Sequence, residues 1–423
     1  MAKGLVIAAP ASRSGKTVVT LGILRALRNR GVRVASAKAG PDYIDPCFHE
    51  AATGRPCFNL DLWGMGRERV ATYLDHLARD ADLVIIEGVM GLFDGPESGA
   101  GSTADLAAEL NLPVALIIDC ASMGQSAGAM IRGFDQPEPA AAVILNRVAG
   151  ARHERIVKDA IADPERIVGA IPRTGALALP SRHLGLVQAS EHDELETFLE
   201  DAARIVSGSL DLEALLRKAR PIPSIATPAA PFPRLGQRIA VARDRAFAFC
   251  YPHLLHDWTR QGSEIVPFSP LSDESPHGAA DAIYFPGGYP ELYAEQLSRN
   301  RGFIDGVRRA ASAGALVYGE CGGFMAIGDY LIDKEGVRHP MAGLLPAGTS
   351  FRDPKLQLGY RSFRHSSPLP FPASLRGHEF HYSRLDGNGD AEPLFEASDA
   401  RGDRLGPMGA KRGRVMGSYA HII

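Results

Sequence analysis

Two short stretches combine a reactive side chain with the small neighbours its chemistry requires. The first is LVYGECGGFMAIG, in which Cys321 stands before Gly322-Gly323, after an apolar run and ahead of a helical pattern. A nucleophile on a tight strand-to-helix turn needs small neighbours if its reactive atom is to be exposed, so this is the cysteine counterpart of a nucleophile elbow. The start of the following helix favours thiolate by lowering the thiol pKa, and the Gly322 N–H is placed to serve an oxyanion hole. Upstream, YFPGGYPE sets Gly287 and Gly288 just beyond another apolar run, with Gly288 expected as a second oxyanion donor. A cysteine nucleophile also needs a base, usually histidine. GHEFHYS offers His378 and His381, with Glu379 as an orienting carboxylate, and GSYAHII offers His421. Composition does not choose among them. The other four cysteines read as inert.

The second stretch is APASRSGKT, between an apolar run and a helical pattern near the N-terminus. It suits a phosphate-binding loop: the backbone of Ser12, Arg13, Ser14 and Gly15 wraps phosphates, Lys16 reaches the terminal ones, and Thr17 ligates magnesium. Pro10 stands where the general pattern has its first glycine. Two acidic loops should lie nearby. EGVMGLFDG carries Glu87 and Asp94, and KAGPDYIDP carries Lys38, Asp42 and Asp45. Hard oxygen donors suit Mg²⁺ shared with phosphate oxygens, and Asp42, Glu87 and Asp94 are the expected carboxylate ligands beside Thr17. Asn146, in ILNRV, either reads adenine through its amide or orders a loop. Trp63 and Trp258 read as packing residues.

These groups need a scaffold, and the patterning supplies an α/β one. Apolar runs without alternation, at Leu5–Ala9, Val32–Ser36, Leu83–Ile86, Val114–Asp119, Ala142–Asn146 and Ile167–Ile171, predict strands buried on both faces. Amphipathic stretches such as Val18–Arg30 and Glu68–Arg79 lie between them, so a mostly parallel sheet covered by helices is expected. Helical patterns follow at Leu195–Val206 and Leu212–Ala219. PIPSIATPAAPFP then places five prolines between Pro221 and Pro233, which predicts an extended, semi-rigid linker. A new strand series begins with Ile239–Ala242 and continues through Ile265–Phe268, Ala282–Phe285 and Ala315–Tyr318. The expected division is a phosphate-binding domain over 1–219, a linker over 220–236 and a second domain carrying the cysteine elbow over 237–423.

The whole chain of 423 residues can bury two cores. A formal net charge of −3 gives no basic field, so nucleic acid is not expected as a partner. Five cysteines without a CxxC pair argue against a disulfide framework or zinc ribbon and for a reducing compartment. The N-terminus lacks the plan of a signal peptide, and no run reaches the roughly 18 apolar residues of a membrane span. A cytoplasmic protein is expected.

Taken together, ASRSGKT, GPDYIDP, EGVMGLFDG, FPGGYPE, GECGGFM, GHEFHYS and GSYAH resemble the cobyrinic acid a,c-diamide synthase family, including its metal-free counterpart acting on hydrogenobyrinic acid. The resemblance runs over nearly the whole chain in order. It implies a dethiobiotin-synthetase-like N-terminal P-loop domain and a class I glutaminase C-terminal domain, with Cys321 as nucleophile and His421, rather than His381, as base. Many class I glutaminases carry glutamate two residues after that histidine; Ile423, the last residue, stands there. The implied substrates are ATP, glutamine and a corrin-type polycarboxylate, with Lys38, Tyr43 and Ile44 expected at the macrocycle, and a homodimer is implied. ATP turns a carboxylate into an acyl phosphate, Cys321 frees ammonia from glutamine, and ammonia displaces phosphate, at the a and then the c side chain or the reverse. Sister readings are the diamide synthase of nickel-sirohydrochlorin and cobyric acid synthase. A reading from another class is a ParA/MinD-like nucleotide switch joined to an inactive glutaminase-like sensor, although Ala11 stands where such switches usually carry lysine.

Overall fold

The computed structural model describes residues 1–423 apart from Ala100, Pro137, Leu179, Pro180, His183, Leu184, Val187 and Asn388. Two compact units divide the chain, Met1–Ala229 and Ala230–Ile423.

In the first unit the β-branched runs form seven parallel strands: β1 (Lys3–Ala8), β2 (Val34–Ala39), β3 (Phe58–Leu60), β4 (Leu83–Glu87), β5 (Val114–Asp119), β6 (Ala142–Val148) and β7 (Ile167–Pro172). Their order across the sheet is β3-β2-β4-β1-β5-β6-β7. Helices cover the strands, and the central ones are buried along their length, as continuous apolar runs require. Two helices matter most for chemistry, α1 (Lys16–Asn29) after β1 and α2 (Asp45–Thr53) after β2. With β1 between β4 and β5, the connections diverge to either side of it, the kind of switch point where α/β sheets bind ligands.

Two elements differ from expectation. Strand β2 spans Val34–Ala39, not Val32–Ser36, so Lys38 lies within the strand and not in the loop behind it. The run VASAKA is poor in large apolar residues and contains a lysine, which hides its strand character. The short β3 pairs with β2 from Ala37 to Ala39 and was not foreseen.

The proline-rich segment is anchored at both ends. Arg220–Pro221 pairs antiparallel with Lys3 and Gly4, and Ala229 N donates to Thr72 Oγ1 at 2.8 Å. On the other side, Phe232 N donates to Asp257 Oδ2 at 2.6 Å and Trp258 Nε1 to the Pro233 carbonyl at 3.0 Å.

The second unit is built on one sheet with strands in the order Glu264–Phe268, Arg238–Ala242, Ala282–Phe285, Leu316–Glu320, Val415–Ser418 and Ala410–Arg412. All pairs are parallel except the last. A separate antiparallel sheet includes Gln357–Arg364, Ser374–His381 and the final strand His421–Ile422. The chain therefore leaves the first sheet at Ser418 and joins the second at His421, within three residues. The expected strands of this unit all form, with Leu316–Glu320 running two residues past the predicted end.

Helix α1 is held by close packing at Gly22. A Cβ there would lie 2.6 Å from Val206 Cγ2 and 3.0 Å from the Ala202 carbonyl, both on helix Leu195–Ser209. Gly22→Val should therefore destabilise the first unit by about 1–3 kcal/mol through overpacking. Trp63 and Trp258 lie in different units, so urea unfolding followed by Trp63 fluorescence in a Trp258→Phe background reports the first unit alone. A lowered midpoint is expected, and an unchanged one would contradict the packing argument.

Candidate functional site

The nucleotide site forms where β1, β2 and β4 end side by side. Parallel register sets Ile7 beside Glu87, and Glu87 beside Lys38. Gly15 precedes α1 at φ 84°, a left-handed conformation suited to glycine, and a Cβ there would strike the Asn146 amide. Asn146 Nδ2 donates to the Ser14 carbonyl at 2.9 Å, Arg147 Nη1 to the Arg13 carbonyl at 3.1 Å, and Ser14 Oγ to the Ala11 carbonyl at 2.8 Å. The end of β6 thus clamps the phosphate loop. Of the two roles open to Asn146, the geometry is that of loop ordering, because its amide is spent on the loop backbone. Ser12 and Arg13 are exposed, Ser14 and Lys16 are buried, and the first turn of α1 presents its N–H groups as an anion site.

Behind that loop lies a charge cluster centred on the fully buried Glu87. Its Oε1 accepts from Thr17 Oγ1 at 2.6 Å and from Lys38 Nζ at 2.9 Å; its Oε2 lies 2.7 Å from His49 Nε2. Lys16 Nζ is 3.9 Å from Oε1. Asp45, on the first turn of α2, accepts from Lys38 at 2.6 Å and from Thr17 at 3.2 Å. Burial alone would raise the Glu87 pKa, but Lys38, His49 and Lys16 outweigh it and hold the carboxyl well below its usual range. Burial likewise opposes charge on Lys38, and Asp45 and Glu87 overcome it, so Lys38 titrates above an ordinary lysine. Lys16 has the opposite balance: burial, then Lys38, lower its pKa.

Several expected ligands find other roles. Lys38 is buried among carboxylates, which answers charge inside the protein and leaves it no face toward a macrocycle. Tyr43 and Ile44 are 4% and 6% exposed, so this conformation packs them away from solvent. Asp42 Oδ1 accepts from the Ile44 and Asp45 backbone N–H groups at 2.8 and 3.1 Å, bracing the turn that leads into α2, and burial together with Asp45 raises its pKa to about 6. The member of that loop that joins Thr17 and Glu87 is Asp45, one helical turn further on. Asp94 is exposed and accepts from Gly91 N at 2.9 Å, closing its own turn. That turn lies against the phosphate loop, since Leu92 N donates to the Ala9 carbonyl at 2.8 Å. His49 was not anticipated. Its only sequence signal is placement four residues after Asp45, on the same face of a helix.

Among the described residues, no group of three or more His, Cys, Asp or Glu side chains forms a ready metal cage. Thr17 Oγ1, Glu87 Oε1 and Asp45 Oδ2 nevertheless converge as hard oxygen donors, the set that fits Mg²⁺ held jointly with phosphate.

The second constellation surrounds Cys321. Its backbone adopts φ 47°, ψ −109°, a strained conformation for a residue with a side chain, at the turn between Leu316–Glu320 and helix Gly322–Ile327. Cys321 N donates to the Ser418 carbonyl at 2.8 Å, tying the turn to the neighbouring strand. The glycines are sterically required. A Cβ on Gly323 would strike the Phe285 carbonyl, and one on Gly322 would lie 3.0 Å from Gly288 N. That second distance brings together the two expected oxyanion donors, and the Gly322 N–H bonds the Cys321 sulfur.

Among the three candidate bases the geometry selects one. The Cβ position of Gly287 lies 2.8 Å from His421 Nε2 and 3.2 Å from Cys321 Cβ, so the imidazole and the nucleophile converge on that glycine. His381 is engaged elsewhere, with Nε2 2.9 Å from Glu379, Nδ1 3.0 Å from the Ser383 carbonyl, and its ring stacked on Tyr419. Glu379 is further tied to Arg361 Nε at 2.9 Å. His378 pairs in register with His421. The expectation of a thiolate is corrected: burial, then Glu291, push the Cys321 thiol above its ordinary value, and a six-residue helix does not offset that. Burial, with His378 and His381, lowers His421 to about 3. Both shifts favour the uncharged forms.

Residues 5–187 match the CobQ/CobB/MinD/ParA nucleotide binding domain, and residues 238–423 match the CobB/CobQ-like glutamine amidotransferase domain. A phosphate loop with buried carboxylates in one unit and a cysteine elbow with a histidine in the other define a glutamine-dependent amide-forming ligase. The chain is 50% identical to the hydrogenobyrinate a,c-diamide synthase of Sinorhizobium sp, over 99% of this chain and 98% of that protein. It is 50% identical to the enzyme of that name from Rhizobium meliloti (strain 1021), over 99% of both chains. For the Rhodobacter capsulatus protein of the same name the figure is 49%, over 100% of this chain and 98% of the other. The chain belongs to the hydrogenobyrinate a,c-diamide synthase family.

The raised thiol pKa has a direct consequence. Without glutamine, iodoacetamide at neutral pH should label exposed Cys47 well before buried Cys321, and Cys321 labelling should keep rising as pH passes the ordinary thiol range. Peptide mass spectrometry over a time course resolves the two. Faster labelling of Cys321 at neutral pH would contradict its raised pKa.

Proposed function

We propose that this protein converts the a- and c-acetate carboxylates of hydrogenobyrinic acid to amides, using ATP and ammonia released from glutamine, in the cytoplasm and as a homodimer. The observation that carries the reading is the pairing, in one chain, of the Thr17–Asp45–Glu87 oxygen cluster behind a phosphate loop with the Cys321–His421 convergence at Gly287. The full-length relatives named for hydrogenobyrinate favour the metal-free macrocycle over a cobalt- or nickel-containing one.

A carboxylate resists attack by ammonia, so it is first phosphorylated. Lys16 and the N–H groups of the phosphate loop bind the transferred phosphoryl group and offset the charge that spreads over its oxygens. Thr17, Glu87 and Asp45 would hold Mg²⁺, which supplies Lewis-acid neutralisation of the phosphates when bound. Lys38 and His49 keep Glu87 ionised and in place.

In the glutaminase half, Cys321 attacks the side-chain amide carbon of glutamine while its proton passes to His421 Nε2. The N–H groups of Gly288 and Gly322 hold the developing oxyanion. His421 then protonates the leaving nitrogen, ammonia departs, and water hydrolyses the thioester to glutamate. Ammonia displaces phosphate from the activated carboxyl, giving amide and inorganic phosphate.

Incubation with hydrogenobyrinic acid, ATP, Mg²⁺ and glutamine should give two successive product masses, each reflecting one OH replaced by NH₂. Cys321→Ser should remove glutamine-dependent synthesis and leave synthesis from ammonium salts. Lys16→Ala should depress both by about 100-fold or more. Amidation of cobyrinic acid in preference to the metal-free compound would overturn the substrate assignment. Equal loss with both nitrogen sources in Cys321→Ser would count against separable sites.

A further inference from the structure

The histidine of a cysteine–histidine pair works best when a carboxylate fixes its tautomer and answers the charge it gains, and the place two residues after His421 holds Ile423 instead. The structure supplies a carboxylate from another direction. Glu320, the residue before the nucleophile, places its Oε2 3.8 Å from His421 Nδ1. Both residues are buried, at 1% and 0% exposure, so no solvent shell screens the approach.

Three donors hold the Glu320 carboxylate in position. Tyr284 Oη donates to Oε2 at 2.8 Å, Tyr318 Oη to Oε1 at 3.1 Å, and the backbone N–H of Ile422 to Oε1 at 3.1 Å. The last bond comes from the residue after His421, so one carboxylate both anchors the terminal strand and faces the imidazole that strand carries. Tyr284 and Tyr318 are wholly buried on adjacent parallel strands, in register with each other. Two tyrosines have no packing reason to aim hydroxyls at one buried carboxyl; an apolar core would use phenylalanine there. The ring is set with Nδ1 toward Glu320, while Nε2 lies on the Gly287 side with Cys321. That is the polarity a proton acceptor needs: Nδ1–H toward the carboxylate and a lone pair on Nε2 toward the thiol.

We propose that Glu320 is the positioning carboxylate of the glutaminase site, fixing the His421 tautomer and stabilising the imidazolium formed when Cys321 gives up its proton. The inference rests on the glutaminase reading above. It makes Glu320 a residue that acts through His421 and not one that touches glutamine. His378 on the paired strand, His381 beyond it and the Tyr251 ring at 6.1 Å also lie near His421, and none of these three carries a carboxylate. None of them supplies the negative charge that Glu320 does. Burial raises the Glu320 pKa to about 7, against the lowering effect of the Tyr284, Ile422 and Tyr318 hydrogen bonds.

The test is steady-state glutamate release by the full-length protein with ATP and the macrocycle present. Glu320→Gln keeps the shape, and its one amide oxygen can still accept from Tyr318 Oη and the Ile422 N–H while its NH₂ donates to Tyr284 Oη, but it offers His421 no charge. It should lower the glutamine-dependent kcat by about 100-fold or more, leave the KM for glutamine unchanged, and leave synthesis from ammonium salts intact. Glu320→Asp restores the charge on a shorter arm and should recover part of the loss. Wild-type kcat in Glu320→Gln would overturn the proposal. Equal losses in the Gln and Asp variants would overturn it too, because the residue would then matter for architecture alone. Cys321→Ser, run in parallel, separates the two levels of the argument. If it also releases glutamate at the wild-type rate, the glutaminase reading itself fails; if it is inactive while Glu320→Gln is not, only the present inference fails.

Discussion

A carboxylate sealed from water must be neutralised from within, and the nucleotide-binding half is arranged around that requirement at Glu87. An ion of this kind costs several kcal/mol to bury unless partners and hydrogen bonds surround it. Here the partners come from separate elements: Lys38 from β2, His49 from α2, and Lys16 and Thr17 from the first turn of α1. Each contact fixes where its element sits. Lys38 locks the β2–β4 register, His49 orients α2, and Thr17 draws the start of α1 against the strand end. The phosphate loop is thereby held from beneath by charge and from the side by Asn146. Removing any one partner would leave an uncompensated buried charge, so the arrangement is cooperative.

The second unit solves a different problem. A nucleophile needs exposure to substrate, yet Cys321 is nearly buried and its thiol is harder to ionise than an ordinary one. Cys321 sits in strained backbone, the Gly322 N–H bonds its sulfur, and Gly322 packs closely on Gly288. The terminal strand then brings His421 to the same point through its pairing with His378.

Much of this was legible in the residues and the remainder depended on register. The elbow and the phosphate loop could be read because their chemistry is local: consecutive residues make the turn, and glycines mark where a side chain will not fit. The parallel strands announced themselves through unbroken apolar runs. Lys38 was misplaced into a loop because a lysine in a short strand of small residues gives no apolar signal. The different placements of Asp42 and Asp45 were hidden for a related reason. Both are acidic residues of one motif, and only the start of α2 decides that Asp42 braces the turn into the helix while Asp45 turns toward Thr17. Glu320 was in plain view inside GECGG, but its partner lies a hundred residues away, across two strands, and adjacency to a nucleophile says nothing about which side of the strand a side chain takes.

In the proposed reaction, activation of a carboxylate by phosphorylation joins the two halves, since ammonia freed at Cys321 would have use only where a carboxyl has become a good electrophile. Oxygen-18 in the substrate carboxylates traces that step directly. If the carboxylate attacks ATP and phosphate later leaves with one of its oxygens, each amide formed should deliver one labelled oxygen to inorganic phosphate, as read by phosphorus NMR or mass spectrometry. Labelled phosphate in equal number to amides is the predicted result. Diamide formed with unlabelled phosphate would contradict the account, because the oxygen lost from the carboxyl would then have left by another route.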